Sequence, residues 1–108
     1  MKDCTKKIFP LIKLQKNISY SFQNPELLIL ALTHPSFNEH DQHKADNQRM
    51  EFLGDSILGA ILAEALYQAF PTENEGSLSR KKAVFVRGSF LAKVASDLKI
   101  EYFVLMSE

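Results

Sequence analysis

A single cysteine, Cys4, leaves this 108-residue chain without an internal disulfide. Such sparing cysteine use agrees with a reducing cytoplasm, where an N-terminal thiol is inert. No run approaches the roughly 20 apolar residues that span a bilayer, so membrane insertion is not expected. Lys2, Lys6 and Lys7 precede an apolar piece, Ile8-Phe9-Pro10-Leu11-Ile12, but it is short and interrupted by proline, a poor signal peptide. Histidine is scarce as well. His40 and His43 form an H-x-x-H with no third ligand of the Cys or His type, which reads as a solvated pair and not as a zinc site. There is no repeat, heptad array, low-complexity tract or sign of a small-molecule cofactor. The formal net charge is zero, so the sum of the charges points to no partner.

Their sorting along the chain does. Residues 39 to 75 hold eight acids, Glu39, Asp41, Asp46, Glu51, Asp55, Glu64, Glu73 and Glu75, against two bases, Lys44 and Arg49. From 79 to 96 the balance reverses, with Arg80, Lys81, Lys82, Arg87 and Lys93 and no acid. An acidic centre beside a basic helix suits a metal-dependent nuclease, in which carboxylates hold cations and Lys or Arg hold phosphates. The plainer alternative is a basic helix paired with acidic neighbours for solubility.

At 108 residues and 45% hydrophobic composition the chain reads as one domain, 1–108, with a modest core. Its pattern predicts an all-α fold. Asn24-Pro25-Glu26 is a helix start, with Asn as N-cap, Pro at the first helical position and an acid in the first turn. That helix should end before Pro35. Residues 38 to 46 read as a polar, mobile loop, followed by a long helix from near Gln48 to about Ala69. Thr72 to Gly76 reads as a connecting turn. Ser77 or Ser79 is expected to cap the basic helix and Ser89 the next, which sets Leu91, Val94, Ala95 and Leu98 on one face. His34, beside Pro35, is expected to fix the helix end or a neighbouring loop through its ring nitrogens.

The long helix carries the most informative segment, Asn47-Gln48-Arg49-Met50-Glu51-Phe52-Leu53-Gly54-Asp55-Ser56-Ile57-Leu58. Residues i and i+4 of a helix share a face about 6 Å apart along the axis, so Glu51 and Asp55 point the same way. Exposed, like charges at this spacing repel by a few tenths of a kcal/mol, about as much as an i,i+4 pair of opposite sign attracts. Partly buried, they either raise one pKa or recruit a cation. Phe52, Leu53, Ile57, Leu58, Ile61, Leu62, Ala65 and Leu66 leave little of the helix polar, which predicts that the acidic stripe borders a packed surface. Gly54 and Gly59, each costing about 1 kcal/mol in a helix interior, predict close approach of a neighbouring element.

The same segment resembles the signature of the ribonuclease III endonuclease domain, N-E-R-L-E-F-L-G-D-[SA]-[VI]-L. Ala31-Leu32-Thr33-His34-Pro35-Ser36-Phe37 is similar to the A-L-T-H-x-S element that precedes it. Tyr67, Phe70-Pro71, Glu75-Gly76 and Leu78-Ser79-Arg80 match the region that follows, and Val86-Arg87-Gly88-Ser89-Phe90-Leu91-Ala92 resembles V-[RN]-x-x-x-L-A. The resemblance runs from about Ile18 onward. Two departures stand out. Gln48 replaces the first signature glutamate with a neutral amide. The family's later D-x-x-E pair is found nowhere in these residues, so the helical endonuclease fold is expected to be C-terminally incomplete, as a fragment or as a natural truncation.

The resemblance implies Mg²⁺-dependent hydrolysis of double-stranded RNA in the processing of rRNA or mRNA precursors, with Mn²⁺ as a substitute ion. It implies Glu51 and Asp55 as metal ligands and catalytic residues, with Glu75 and the altered Gln48 as supporting positions. Arg80, Lys81, Lys82 and Arg87 would bind RNA, and Phe52 would plug into the partner subunit of a homodimer, burial in its own core being the alternative. The competing reading is a non-catalytic relative that keeps RNA binding or dimerisation but not hydrolysis. Gln48 and the missing acidic pair favour it, whereas Glu51, Asp55 and Glu75 favour the enzyme.

Overall fold

A computed structural model describes residues 5–38 and 44–106, with side chains from residue 11 onward. Cys4, His40 and His43 lie outside the described residues, as does most of the expected loop at 38 to 46. The described chain is helical, with five α-helices, α1 (Thr5–Ile18), α2 (Pro25–Leu32), α3 (Gln48–Ala69), α4 (Glu75–Phe85) and α5 (Gly88–Asp97), and 3-10 turns at Pro35–Asn38 and Ile100–Phe103. Its nearest approach to a sheet is an isolated parallel bridge between Thr33 and Leu105. No described helix is long and apolar enough to cross a membrane.

The start of α2 is as the sequence predicts, with Asn24 Oδ1 accepting from the Glu26 N–H at 3.1 Å and Pro25 in the first turn. The span of α3 also agrees with the expected one. Two caps differ. Asn74 caps α4, its Oδ1 accepting from the Ser77 N–H at 2.9 Å, so the helix begins at Glu75 inside the expected turn, and neither Ser77 nor Ser79 is the cap. The cap position of α5 is Arg87, without a side-chain hydrogen bond, which places Ser89 inside that helix. Leu91, Ala95 and Leu98 are half-buried as expected, but Val94 is exposed.

Helix α1 departs most from the sequence reading, because it runs through Pro10, where the proline reads as an interruption. Packing supplies the reason. Leu11 and Leu14 of α1 bury against Leu28 and Leu32 of α2, and Ile18, Phe22, Ile29, Ile100, Phe103 and Val104 close around them. Burial of a helix face outweighs the loss of one backbone donor, since tertiary contacts supply most of helix stability. Gln15 fastens the following turn, its Oε1 accepting from the Phe22 N–H at 2.6 Å. The Asn17 amide donates to the Leu98 carbonyl at 3.2 Å and ties α1 to the end of α5.

Helix α3 lies largely outside this core. It packs on α4, burying Gly59 and Leu66, while Leu53, Ile57 and Ile61, four residues apart, stay 59%, 50% and 59% exposed. The molecule is correspondingly elongated, 56 × 29 × 24 Å. The expectation of a packed surface along α3 therefore holds only on the side toward α4. Apolar composition specifies which residues could be buried, but along Leu53, Ile57 and Ile61 the described residues leave the helix uncovered.

The two glycines of α3 divide in the same way. At Gly59 an added Cβ would meet the Lys82 side chain at 3.4 Å, whereas at Gly54 it would meet nothing within 4 Å, so no close approach explains Gly54 here. Gly54→Ala is expected to stabilise the chain by up to about 1 kcal/mol through helix propensity alone. A higher urea midpoint with an unchanged slope would register it.

Candidate functional site

The first turn of α3 is fastened from three directions. Asp46 Oδ1 accepts from the Gln48 N–H at 3.0 Å, satisfying one donor that the helix start leaves open. The Asn47 N–H donates to the Thr33 carbonyl at 2.9 Å, and the Asn47 carbonyl accepts from the Glu51 N–H at 2.8 Å. The Asn47 side-chain amide reaches across to the Ala31 carbonyl of α2 at 2.9 Å. Glu51 thus stands in the first turn, where the unpaired N–H groups favour negative charge.

Glu51 and Asp55 are both exposed, one turn apart on one face. Asp55, Gly59, Leu62 and Leu66 continue that face toward α4 at helical spacing, so the carboxylates open to solvent at the end of the packed seam. Lys82 of α4 lies over Gly59, one turn beyond Asp55. Among the described residues no cluster of three or more His, Cys, Asp or Glu side chains is placed to hold a metal. Two carboxylate donors nevertheless fit Mg²⁺, a hard ion that is commonly held by one or two carboxylates and keeps several waters.

The other predicted residues take separate places. Glu75 opens α4 and does not join the pair; its Oε1 accepts from Ser79 Oγ at 2.8 Å. It lines an open groove with Tyr67, Glu73, Leu78 and Lys82. Gln48 is exposed in the first turn of α3 and borders a second groove with Leu30, Arg49, Phe52 and Leu53. Phe52 is 80% exposed, so it is not buried in the core of this chain. Of the basic residues, Arg80 and Arg87 are exposed and Lys82 is half-buried. Lys81 is already engaged, 3.2 Å from Glu73 and 4.8 Å above the Phe70 ring.

His34 behaves as expected of a structural residue: its Nδ1 accepts from the Ser36 N–H at 3.1 Å and lies 2.8 Å from Ser36 Oγ. Sequence reasoning missed Asp46, Asn47 and Asn74 as the residues that position α3 and α4. The signal was present, since each is an Asp or Asn within two residues of a helix start. Only the partner of the Asn47 side chain, sixteen residues away, has no local signal.

The profile of the ribonuclease-III-like family matches residues 24–108. Among curated proteins, Ribonuclease 3 of Acinetobacter baylyi is 50% identical over 95 residues, which cover 88% of this chain and 40% of that protein. Ribonuclease 3 of Ehrlichia canis is 43% identical over 95 residues, covering 88% and 42%. A solved nuclease domain of ribonuclease III from Campylobacter jejuni, described for flexibility in a region involved in its dimer formation, superposes with a TM-score of 0.80. It has 40% sequence identity, and the match covers 88% of this chain and 64% of that one. This chain therefore spans less than half the length of these curated relatives. With the signature face on α3, the all-helical fold and these matches in agreement, the chain belongs to the ribonuclease-III-like family.

Proposed function

We propose that this chain is part of an endoribonuclease that cleaves double-stranded RNA by Mg²⁺-dependent hydrolysis of phosphodiester bonds, in the maturation of rRNA or mRNA precursors in the cytoplasm. The observation that carries this reading is the presentation of Glu51 and Asp55 together on one exposed face of the signature helix. Their oxygens would hold the ion, which supplies positive charge to the reacting phosphate and lowers the pKa of water. The remaining work falls to the protein. The fastened start of α3 orients the two carboxylates. Arg80 and Arg87 are available to phosphates, and recognition by backbone charge and groove shape suits A-form RNA. Gln48 offers an amide donor where a carboxylate would add negative charge.

Cleavage of a labelled RNA duplex, in Mg²⁺ and in excess EDTA, tests the reading. Cutting only with Mg²⁺ supports it. Duplex binding without cutting, by chain shown to be folded, would instead favour a non-catalytic RNA-binding or dimerisation module. That second reading draws its support from Gln48, a neutral amide at the first acidic position of the signature.

A second copy of the chain is the proposed partner of the face around Phe52. An aromatic side chain left 80% exposed beside Leu53 is the kind of anchor that dominates protein interfaces, and the Campylobacter jejuni domain is described as forming a dimer. Phe52→Ala is expected to weaken self-association by about tenfold or more, read by sedimentation equilibrium. An unchanged monomer–dimer constant would remove Phe52 from the interface.

A further inference from the structure

Asn47 occupies the cap position of α3, yet its side chain makes no capping hydrogen bond. An Asn at a helix start ordinarily accepts from a first-turn N–H, at a gain of about 0.5–2 kcal/mol. Here Asp46 takes over one such N–H, that of Gln48, and the Asn47 amide is spent on the Ala31 carbonyl of α2, at 2.9 Å. The main chain of Asn47 strengthens the same link, donating to the Thr33 carbonyl at 2.9 Å and accepting from the Glu51 N–H at 2.8 Å.

The far side of this link is itself anchored. Thr33 is 6% exposed, and its hydroxyl donates to the Ile29 carbonyl at 2.7 Å. Residues 32 to 34 are also bridged to the end of the described chain: the Leu105 N–H donates to the Leu32 carbonyl and the His34 N–H to the Leu105 carbonyl, both at 2.8 Å. A continuous set of hydrogen bonds therefore runs from Leu105 through the end of α2 and Asn47 to the backbone of Glu51. Helix starts fray unless they are held, and Glu51 sits within the turn most exposed to fraying.

We infer that Asn47 is a positioning residue: its amide locks the first turn of α3 to the end of α2 and so fixes where the Glu51 carboxylate stands relative to that of Asp55. The inference rests on the metal-binding reading of those two carboxylates. It separates placement from stability, because Ser is also a favoured N-cap. Asn47→Ser keeps a good helix start but is too short to reach Ala31.

The test measures Mn²⁺ binding by titration calorimetry, hydrogen exchange at the Glu51 amide, and the thermal midpoint. The chain is compared with Asn47→Ser, Asn47→Ala, Asp46→Ala and Glu51→Gln, at a temperature where circular dichroism shows each folded. Asn47→Ser is expected to keep its midpoint near that of the parent, to weaken Mn²⁺ binding about tenfold, the low end for outer-sphere substitutions, and to speed exchange at Glu51. Asp46→Ala removes one cap of the first turn and lowers the midpoint, but it weakens Mn²⁺ binding less than Asn47→Ser does, because the bonds to Thr33 and Ala31 remain. Parent-like Mn²⁺ binding by Asn47→Ser overturns the inference, and so does equal weakening by Asp46→Ala. Should Asn47→Ala fail to fold, Asn47→Ser alone decides. A parent chain that binds no Mn²⁺, or binds it equally with Glu51→Gln, overturns the metal-binding reading itself and the inference with it, a result distinct from a loss confined to the Asn47 variants.

Discussion

On the proposed function, replacing Asp55 by asparagine, or Glu51 by glutamine, is expected to reduce Mg²⁺-dependent cleavage of duplex RNA by about 10²- to 10⁴-fold. The estimate follows from the several kcal/mol that a bound metal ion contributes to transition-state charge stabilisation, at 1.36 kcal/mol per tenfold in rate. Both changes are nearly isosteric, and both residues are exposed, so the helix should persist. Removing one charge of a like-charged i,i+4 pair should if anything raise helix stability slightly. Loss of activity without loss of helical signal is therefore the expected combination. The two positions should also behave as a unit, the double substitution costing little more than either single one, because residues that act together are strongly non-additive. Single-turnover rates across a Mg²⁺ series would check this. Retained activity in Asp55→Asn at saturating Mg²⁺ would remove Asp55 from the site.

The largest expected effect on stability lies in the α1–α2 core and not at those carboxylates. Leu14→Ala removes the most deeply buried side chain among the described residues, at 2% exposure. It leaves a cavity lined by Leu11, Leu28 and Leu32 with Phe22 and Phe103 close by. Such truncations cost about 2–5 kcal/mol, against a total of about 5–15 kcal/mol for ordinary domains. The buried apolar set described here is short, Leu11, Leu14, Leu28, Leu32 and Leu66, so the loss should consume much of the available stability. Urea unfolding followed by far-ultraviolet circular dichroism is expected to show a large fall in the midpoint. A change below about 1 kcal/mol would mean that the α1–α2 core is not what holds the chain together. Leu53→Ala offers the contrast: its side chain is 59% exposed, and its substitution should fall within the small range typical of surface positions.

The span of α3, the Asn24-Pro25 start of α2 and the pairing of Glu51 with Asp55 on one face all follow from spacing and capping chemistry, which act within a few residues. Those features hold in the structure. The helical nature of residues 5–18 was hidden, because Pro10 argues locally against it and the favourable term, burial of Leu11 and Leu14 against α2, arises only between elements distant in sequence. The cap of α4 is not singled out by the sequence, since Asn74, Ser77 and Ser79 all have capping chemistry and only the backbone path selects Asn74.

By itself, then, the sequence determined the helical class, the register of the signature helix and the two carboxylates that share its face, because side-chain direction on a helix is fixed by residue count. Tertiary structure alone decided which face of that helix is covered and what fastens its first turn. A stripe such as Leu53, Ile57 and Ile61 is equally apolar whether or not another element lies against it; here it is open, while the side toward α4 is packed. Likewise Asn47 carries no local mark of its partner. Its bond to Ala31 exists because the end of α2, itself bridged to Leu105, comes to rest beside the start of α3.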